Sequence, residues 1–169
     1  MNSIERRTFI KGLAILGVAL AAPGLLRPVR GLAAGASSGF ARLTLSEDEW
    51  RARLTQEQFR VLRHEDTEPA GSSPLNKEYR EGVYACAGCD LELFTSKTKF
   101  DSGTGWPSFY APIEGRVETK ADYWLILPRT EYHCARCGGH QGHVFDDGPK
   151  PTGLRYCNNG VALRFTPAG

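Results

Sequence analysis

The residues most able to do chemistry are the five cysteines. Cys86-Ala87-Gly88-Cys89 and Cys134-Ala135-Arg136-Cys137 form two CxxC units. Two thiolates separated by two residues can grip one ion from a single tight turn. Two such turns complete a tetrahedral four-sulfur shell, the closed geometry of a structural zinc. Gly88 and Gly138 supply the permissive backbone that such turns ask for. The same four residues would also allow a pair of disulfides in an oxidising compartment. A closed shell leaves no position for substrate, so the expected role of the metal is in folding. Cys157 is left without a partner, while three of the 4 histidines lie within eleven residues, from His133 to His143. A lone thiol near imidazoles is a candidate nucleophile, because the thiolate reacts and a nearby cation lowers its pKa. The plainer alternative is a small buried hydrophobe.

The elements that must position these groups are short. Ser46 with Glu49 and Thr55 with Gln58 have the spacing of capping boxes, which predicts two helices with Trp50, Leu54, Phe59 and Leu62 buried. Residues 64–81 read as a long polar surface loop. From residue 82 onward the spacing predicts strands at 82–86, 92–94, 122–127, 131–134, 143–145, 154–157 and 161–165, bounded by Gly, Pro and Asp. No long amphipathic helix follows residue 65. The expected fold is mainly β: a small antiparallel β-sandwich or open barrel with short N-terminal helices and a four-cysteine zinc site.

Residues 1–36 do not read as part of that domain. Arg6 and Arg7 open a twin-arginine pattern, an apolar run extends from Gly12 to Leu26, and Ala34-Gly35-Ala36 offers a small-residue cleavage site. This segment is expected to be a cleaved leader for the twin-arginine export machinery, with a retained membrane anchor as the alternative. The expected location is exported and periplasmic. Residues 37–41 then form a linker and 42–167 the domain. The chain carries 21 Lys+Arg and 19 Asp+Glu. The leader holds five of the basic residues and one of the acidic, which leaves 16 against 18 and a near-neutral domain. It lacks the basic patch or stripe of a nucleic-acid binder, and a monomer is the default.

The segments SGTGWPSF (102–109), CGGHQGHVFDDGP (137–149) and GLRYCNN (153–159), with the two CxxC units in that order, resemble B-type methionine sulfoxide reductases over residues 42–166. The resemblance implies a β domain with zinc on Cys86, Cys89, Cys134 and Cys137. It implies that Cys157 attacks the sulfur of an R-configured methionine sulfoxide, free or in an oxidised protein. His140 and His143 would hold the sulfoxide oxygen, directly or through water, and one of them would donate a proton. Asn159 would orient that network, Arg155 and Asp147 would tune the charge at Cys157, and Trp106 would pack on the terminal methyl with Phe109 nearby. A general acid of near-neutral pKa suits a sulfoxide oxygen, which leaves poorly until protonated.

One departure from the family bears on mechanism. Many members carry a cysteine between the glycines of SGxGWPSF, where it resolves the sulfenic acid. Here that position is Thr104. The expectation is a one-thiol cycle, with a thioredoxin-like protein or a small thiol as external reductant. Asn158 stands where an apolar residue is usual and is expected to face away. Two other functions fit the residue types. Cys157, a histidine and Asn159 are the types of a Cys-His-Asn hydrolase, and two CxxC units on a β scaffold suit a non-catalytic zinc-ribbon-like binding module.

Overall fold

A computed structural model describes residues 39–123 and 128–169. The expected leader, the first two linker residues and most of the strand expected at 122–127 lie outside the described residues. Helices α1 (Glu47–Arg53) and α2 (Gln56–His64) both begin in complete capping boxes, on Ser46 with Glu49 and on Thr55 with Gln58. Each cap satisfies amide groups that the first helical turn leaves orphaned, worth about 1 kcal/mol. Trp50, Leu54, Phe59 and Leu62 are buried, as expected.

Among the described residues nine strands follow: β1 (Gly82–Cys86), β2 (Glu92–Thr95), β3 (Lys99–Phe100), β4 (Ser108–Phe109), β5 (Val117–Asp122), β6 (Arg129–Cys134), β7 (His140–Phe145), β8 (Arg155–Asn158) and β9 (Leu163–Pro167). They form a three-stranded sheet in the order β2-β1-β9 and a six-stranded sheet in the order β3-β4-β8-β7-β6-β5. Every pairing is antiparallel. The strand expected at 122–127 begins where β5 ends; β5 itself occupies 117–122.

The core is aromatic and draws on both sheets. Tyr84 of β1 and Phe94 of β2 meet Phe109 of β4 at ring-centre distances of 4.9 and 4.2 Å. Tyr132 of β6 and Tyr156 of β8 close the cluster edge to face at 5.2 Å. Each such pair contributes about 0.5–1.5 kcal/mol beyond its area burial. Because side chains alternate along a strand, turning Tyr156 into this core turns its neighbour Cys157 to the opposite face.

Candidate active site and metal centre

The first CxxC unit ends β1 and the second follows β6, so each sheet contributes two cysteines. All four ligand sulfurs lie within 4.8 Å of one another and are buried. The cross-sheet sulfur pairs Cys86–Cys137 and Cys89–Cys134 are 3.7 and 3.5 Å apart. A tetrahedron of sulfurs about 2.3 Å from a central zinc has edges of about 3.8 Å, whereas a disulfide closes to about 2.05 Å. The spacing therefore fits a four-sulfur metal shell and not two disulfides. Gly138 adopts a left-handed φ of 67°, as the turn requires. The first unit does the same at the equivalent position, directly after its second cysteine, but the left-handed residue there is Asp90 at φ 61° and not Gly88. Gln141 of β7 leans on the shell, its Nε2 lying 3.5 Å from Cys86 Sγ.

Cys157 sits on β8 between two strands, paired with His143 of β7 and Ser108 of β4. On a regular strand, residues three apart point to opposite faces. A register shift where β6 meets β7, between Tyr132 and His133, allows His140 and His143 to stand together, their ring centres 5.5 Å apart. Gly142 makes the close approach of β7 and β8 possible, since a Cβ there would lie 1.9 Å from the Cys157 carbonyl oxygen. Gly142→Ala is expected to cost about 1–3 kcal/mol or more through overpacking and to depress turnover. A thermal melt beside a steady-state assay checks both effects.

Each imidazole has its own carboxylate. His140 Nδ1 lies 2.6 Å from Glu131 Oε1, with both side chains 2 % exposed. His140 Nε2 is buried without a hydrogen-bond partner among the described residues. His143 Nε2 lies 2.8 Å from Asp122 Oδ2, which also accepts from Arg129 at 2.6 Å. Burial pushes the Glu131 carboxyl up, but the bonds from His133 and His140 and the Lys120 charge outweigh it and hold Glu131 well below the usual range. Burial lowers His143, opposed by its bond to Asp122. The sequence reading missed Glu131 and Asp122, although Glu131 lies only nine residues from His140.

Arg155 and Cys157 share a face of β8. The Arg155 guanidinium makes a two-point pair with Asp147, at 2.8 Å for each bond, and stacks 4.3 Å over the Phe145 ring. Burial pushes the Cys157 thiol above its ordinary pKa, while the Arg155 charge and a hydrogen bond from the Thr104 hydroxyl pull it back. The Thr104 hydroxyl also opens a hydroxyl chain through Ser102 (2.8 Å) to Ser108 (2.7 Å), the residue of β4 paired with Cys157. Arg155→Met would keep the stem and remove the charge. The thiolate is the reactive form and the guanidinium favours it, so the pH midpoint of Cys157 alkylation should move upward. An unmoved or lowered midpoint would contradict this role.

A cavity of about 140 Å³ opens at Cys157, walled by Trp106, Phe145, His143, Gly142 and Asn159, among others. His140 lines an adjoining cavity that shares His143 and Arg129 with the first. One expectation is corrected here. Phe109 does not line the cavity: it is fully buried in the aromatic core, because strand alternation turns it away from the face that Ser108 shares with Cys157. Phe145, which the sequence reading did not single out, supplies the second aromatic wall. Asn158 shares the Tyr156 face of β8, opposite to Cys157. It is fully buried, accepting from the Tyr132 hydroxyl at 2.6 Å and donating to Asn159 O at 2.7 Å. Asn159 lines the cavity, but its carboxamide is committed to backbone, with Oδ1 accepting from Glu68 N and Nδ2 donating to Gln141 O, both at 3.0 Å. Among the described residues it makes no direct hydrogen bond to a histidine, the contact that a Cys-His-Asn hydrolase would need.

Fold and site together define a candidate thiol enzyme: a β scaffold whose four clustered cysteines could hold a metal ion, and a fifth, separate thiol in a cavity lined by aromatic and imidazole side chains. The comparisons agree with that class. The SelR domain model matches residues 54–167. The chain is 50% identical over 121 residues to the peptide methionine sulfoxide reductase MsrB of Leptospira interrogans, covering 71% of this chain and 92% of that one. It is 56% identical over 122 residues to the MsrB of Pseudomonas putida, covering 71% and 91%. For the MsrB of Methanosarcina barkeri the identity is 54% over 121 residues, covering 71% and 85%. The chain belongs to the SelR-domain family of B-type methionine sulfoxide reductases.

Proposed function

We propose that this protein reduces the R epimer of methionine sulfoxide to methionine through Cys157 and is regenerated by an external thiol. The observation that carries the reading is the cavity itself, lined by the aromatic Trp106 and Phe145 and the imidazole of His143 around a single thiol. A methyl sulfoxide has an apolar methyl and a strongly polar S–O bond. Aromatic and imidazole surfaces in one cavity can sort the two groups, and inverting the sulfur sets one of them against the wrong surface.

In the reaction the Cys157 thiolate attacks the sulfoxide sulfur and a histidine supplies the proton. The oxygen leaves methionine and ends on Cys157 as a sulfenic acid, so the sulfoxide is reduced as the thiol is oxidised. A donor thiol then displaces water to give a mixed disulfide, and a second thiol releases Cys157 and an oxidised donor. Thr104 offers a hydroxyl where a resolving sulfur would have to be, and the other four thiols belong to the metal shell. The donor is a thioredoxin-like protein or a small thiol.

We read the shell as holding one zinc ion, which joins the two sheets and takes no part in the chemistry. We read residues 1–36 as a twin-arginine leader cleaved after Ala36, delivering the folded protein to the periplasm; N-terminal sequencing of exported material tests that assignment. The activity is tested by assaying purified protein on both epimers with dithiothreitol. Reduction of the R epimer alone is expected, and reduction of neither overturns the reading. Mass spectrometry after one turnover without reductant should find Cys157 as a sulfenic acid or its adduct. A disulfide from Cys157 to a CxxC cysteine would overturn the one-thiol cycle.

A further inference from the structure

The segment between α2 and β1 was expected to be a polar surface loop, yet Glu68 within it is only 4 % exposed. The reaction described above makes no use of this carboxylate. Four hydrogen bonds converge on the residue. Its Oε1 accepts from Gly160 N at 2.6 Å and its Oε2 from Val161 N at 2.8 Å. Its own N–H donates to Asn159 Oδ1, and its carbonyl accepts from Trp106 Nε1, both at 3.0 Å.

Two of these partners, Trp106 and Asn159, wall the Cys157 cavity, and so does Thr67, the residue before Glu68. The other two partners lie on the turn directly after β8. That turn is tightly seated, since a Cβ on Gly160 would lie 1.9 Å from Ser73 Oγ. Among ordinary side chains only a carboxylate offers two acceptors side by side to two adjacent amides. Burial raises the Glu68 pKa, and the two amide bonds pull it back, so the amides offset part of the cost of placing this acid inside the protein.

We propose that Glu68 is a positioning residue: its carboxylate fastens residues 67–68 to the turn after Cys157, and through residue 68 sets the Trp106 indole and the Asn159 carboxamide at the spacing the substrate requires. Trp106 is thereby held by a carbonyl 38 residues upstream, and Asn159 by an amide 91 residues away. The proposal rests on the reading of the Cys157 cavity as the sulfoxide site.

Glu68→Gln tests it in the full, metal-loaded enzyme, since glutamine turns one acceptor into a donor facing an amide. The expected result is a fall in kcat/KM for a peptide methionine sulfoxide of roughly 10- to 100-fold, expressed mainly in KM. The alkylation rate of Cys157 and the zinc content should stay near wild type. In a Trp106→Ala background the same substitution should cost far less, because the group it positions is gone. An unchanged KM, or an equal loss with and without Trp106, overturns the proposal. Should Glu68→Gln fail to fold, Glu68→Asp keeps both acceptors, draws them back by one methylene, and is expected to show the same KM-borne loss. A wild-type protein that reduces neither epimer defeats the reading of the site. An active wild type with an unaffected Glu68 variant defeats only the positioning role.

Discussion

Replacing Cys157 with serine should lower kcat/KM for methionine sulfoxide by at least about 10⁴-fold, while secondary structure and metal content stay as in the wild type. The hydroxyl that replaces the thiol is not ionised near neutral pH and makes no stable bond to the sulfoxide oxygen. No other sulfur can substitute, because Cys86, Cys89, Cys134 and Cys137 are buried together at the joint between the sheets. Serine should be tolerated sterically: it is the smaller side chain, and Cys157 is only partly buried. The backbone contacts around it, such as the bond from Asn158 N to Pro107 O at 2.9 Å, do not involve its sulfur. The measurement is a steady-state assay on the R epimer beside circular dichroism and metal analysis. Activity within tenfold of wild type would show that the bond-making group lies elsewhere.

The second large effect concerns the shell. Removing the metal with a strong chelator, or replacing Cys134 with serine, should unfold the domain. Structural zinc on such ligands contributes an apparent binding free energy of about 10–16 kcal/mol, while a whole domain is stable by only about 5–15 kcal/mol. The metal term is therefore as large as the total. Four thiolates at these distances repel one another strongly unless a cation sits among them, so the two sheets would part where β1 and β6 end. Cys134 is fully buried, which leaves its substitute no route to solvent. Thermal melts before and after chelation check the expectation, with loss of the cooperative transition as the result. A metal-free protein melting at the same temperature would remove the ion from the folding argument.

How much of this was legible in the sequence depends on how far apart the interacting residues lie. Ser46, Glu49, Thr55 and Gln58 act over three residues, and both helices were readable from them. The CxxC units were readable because a metal turn is local, although the residue taking the left-handed conformation in the first unit is Asp90 and not the glycine. Strand β5 escaped detection because it is a sheet edge. None of its residues, Val-Glu-Thr-Lys-Ala-Asp, is buried, and their alternation sets only small or weakly apolar side chains against charged ones. β3 and β4 span two residues each, too few to show a period. That brevity also hid Phe109, whose direction follows only from its pairing with Tyr156. Asn158 is polar yet fully buried, since the Tyr132 hydroxyl and Gln141 satisfy it in the interior, and no residue beside it in sequence signals those partners. Glu68, Glu131 and Asp122 were missed for a shared reason. Nothing adjacent to a carboxylate in sequence announces an amide or imidazole that the topology later brings against it.

The middle strand of the smaller sheet, β1, is bordered on one side by β9, with Gly82 opposite Pro167. The chain's last strand is therefore needed to flank one of its first. Contacts of such long sequence separation form slowly, and during synthesis they must wait until the C-terminal residues leave the ribosome. A nascent chain already carrying its nucleophile has no complete scaffold to display it on, and a protein cut short at residue 162 would forfeit the sheet closure along with its tail.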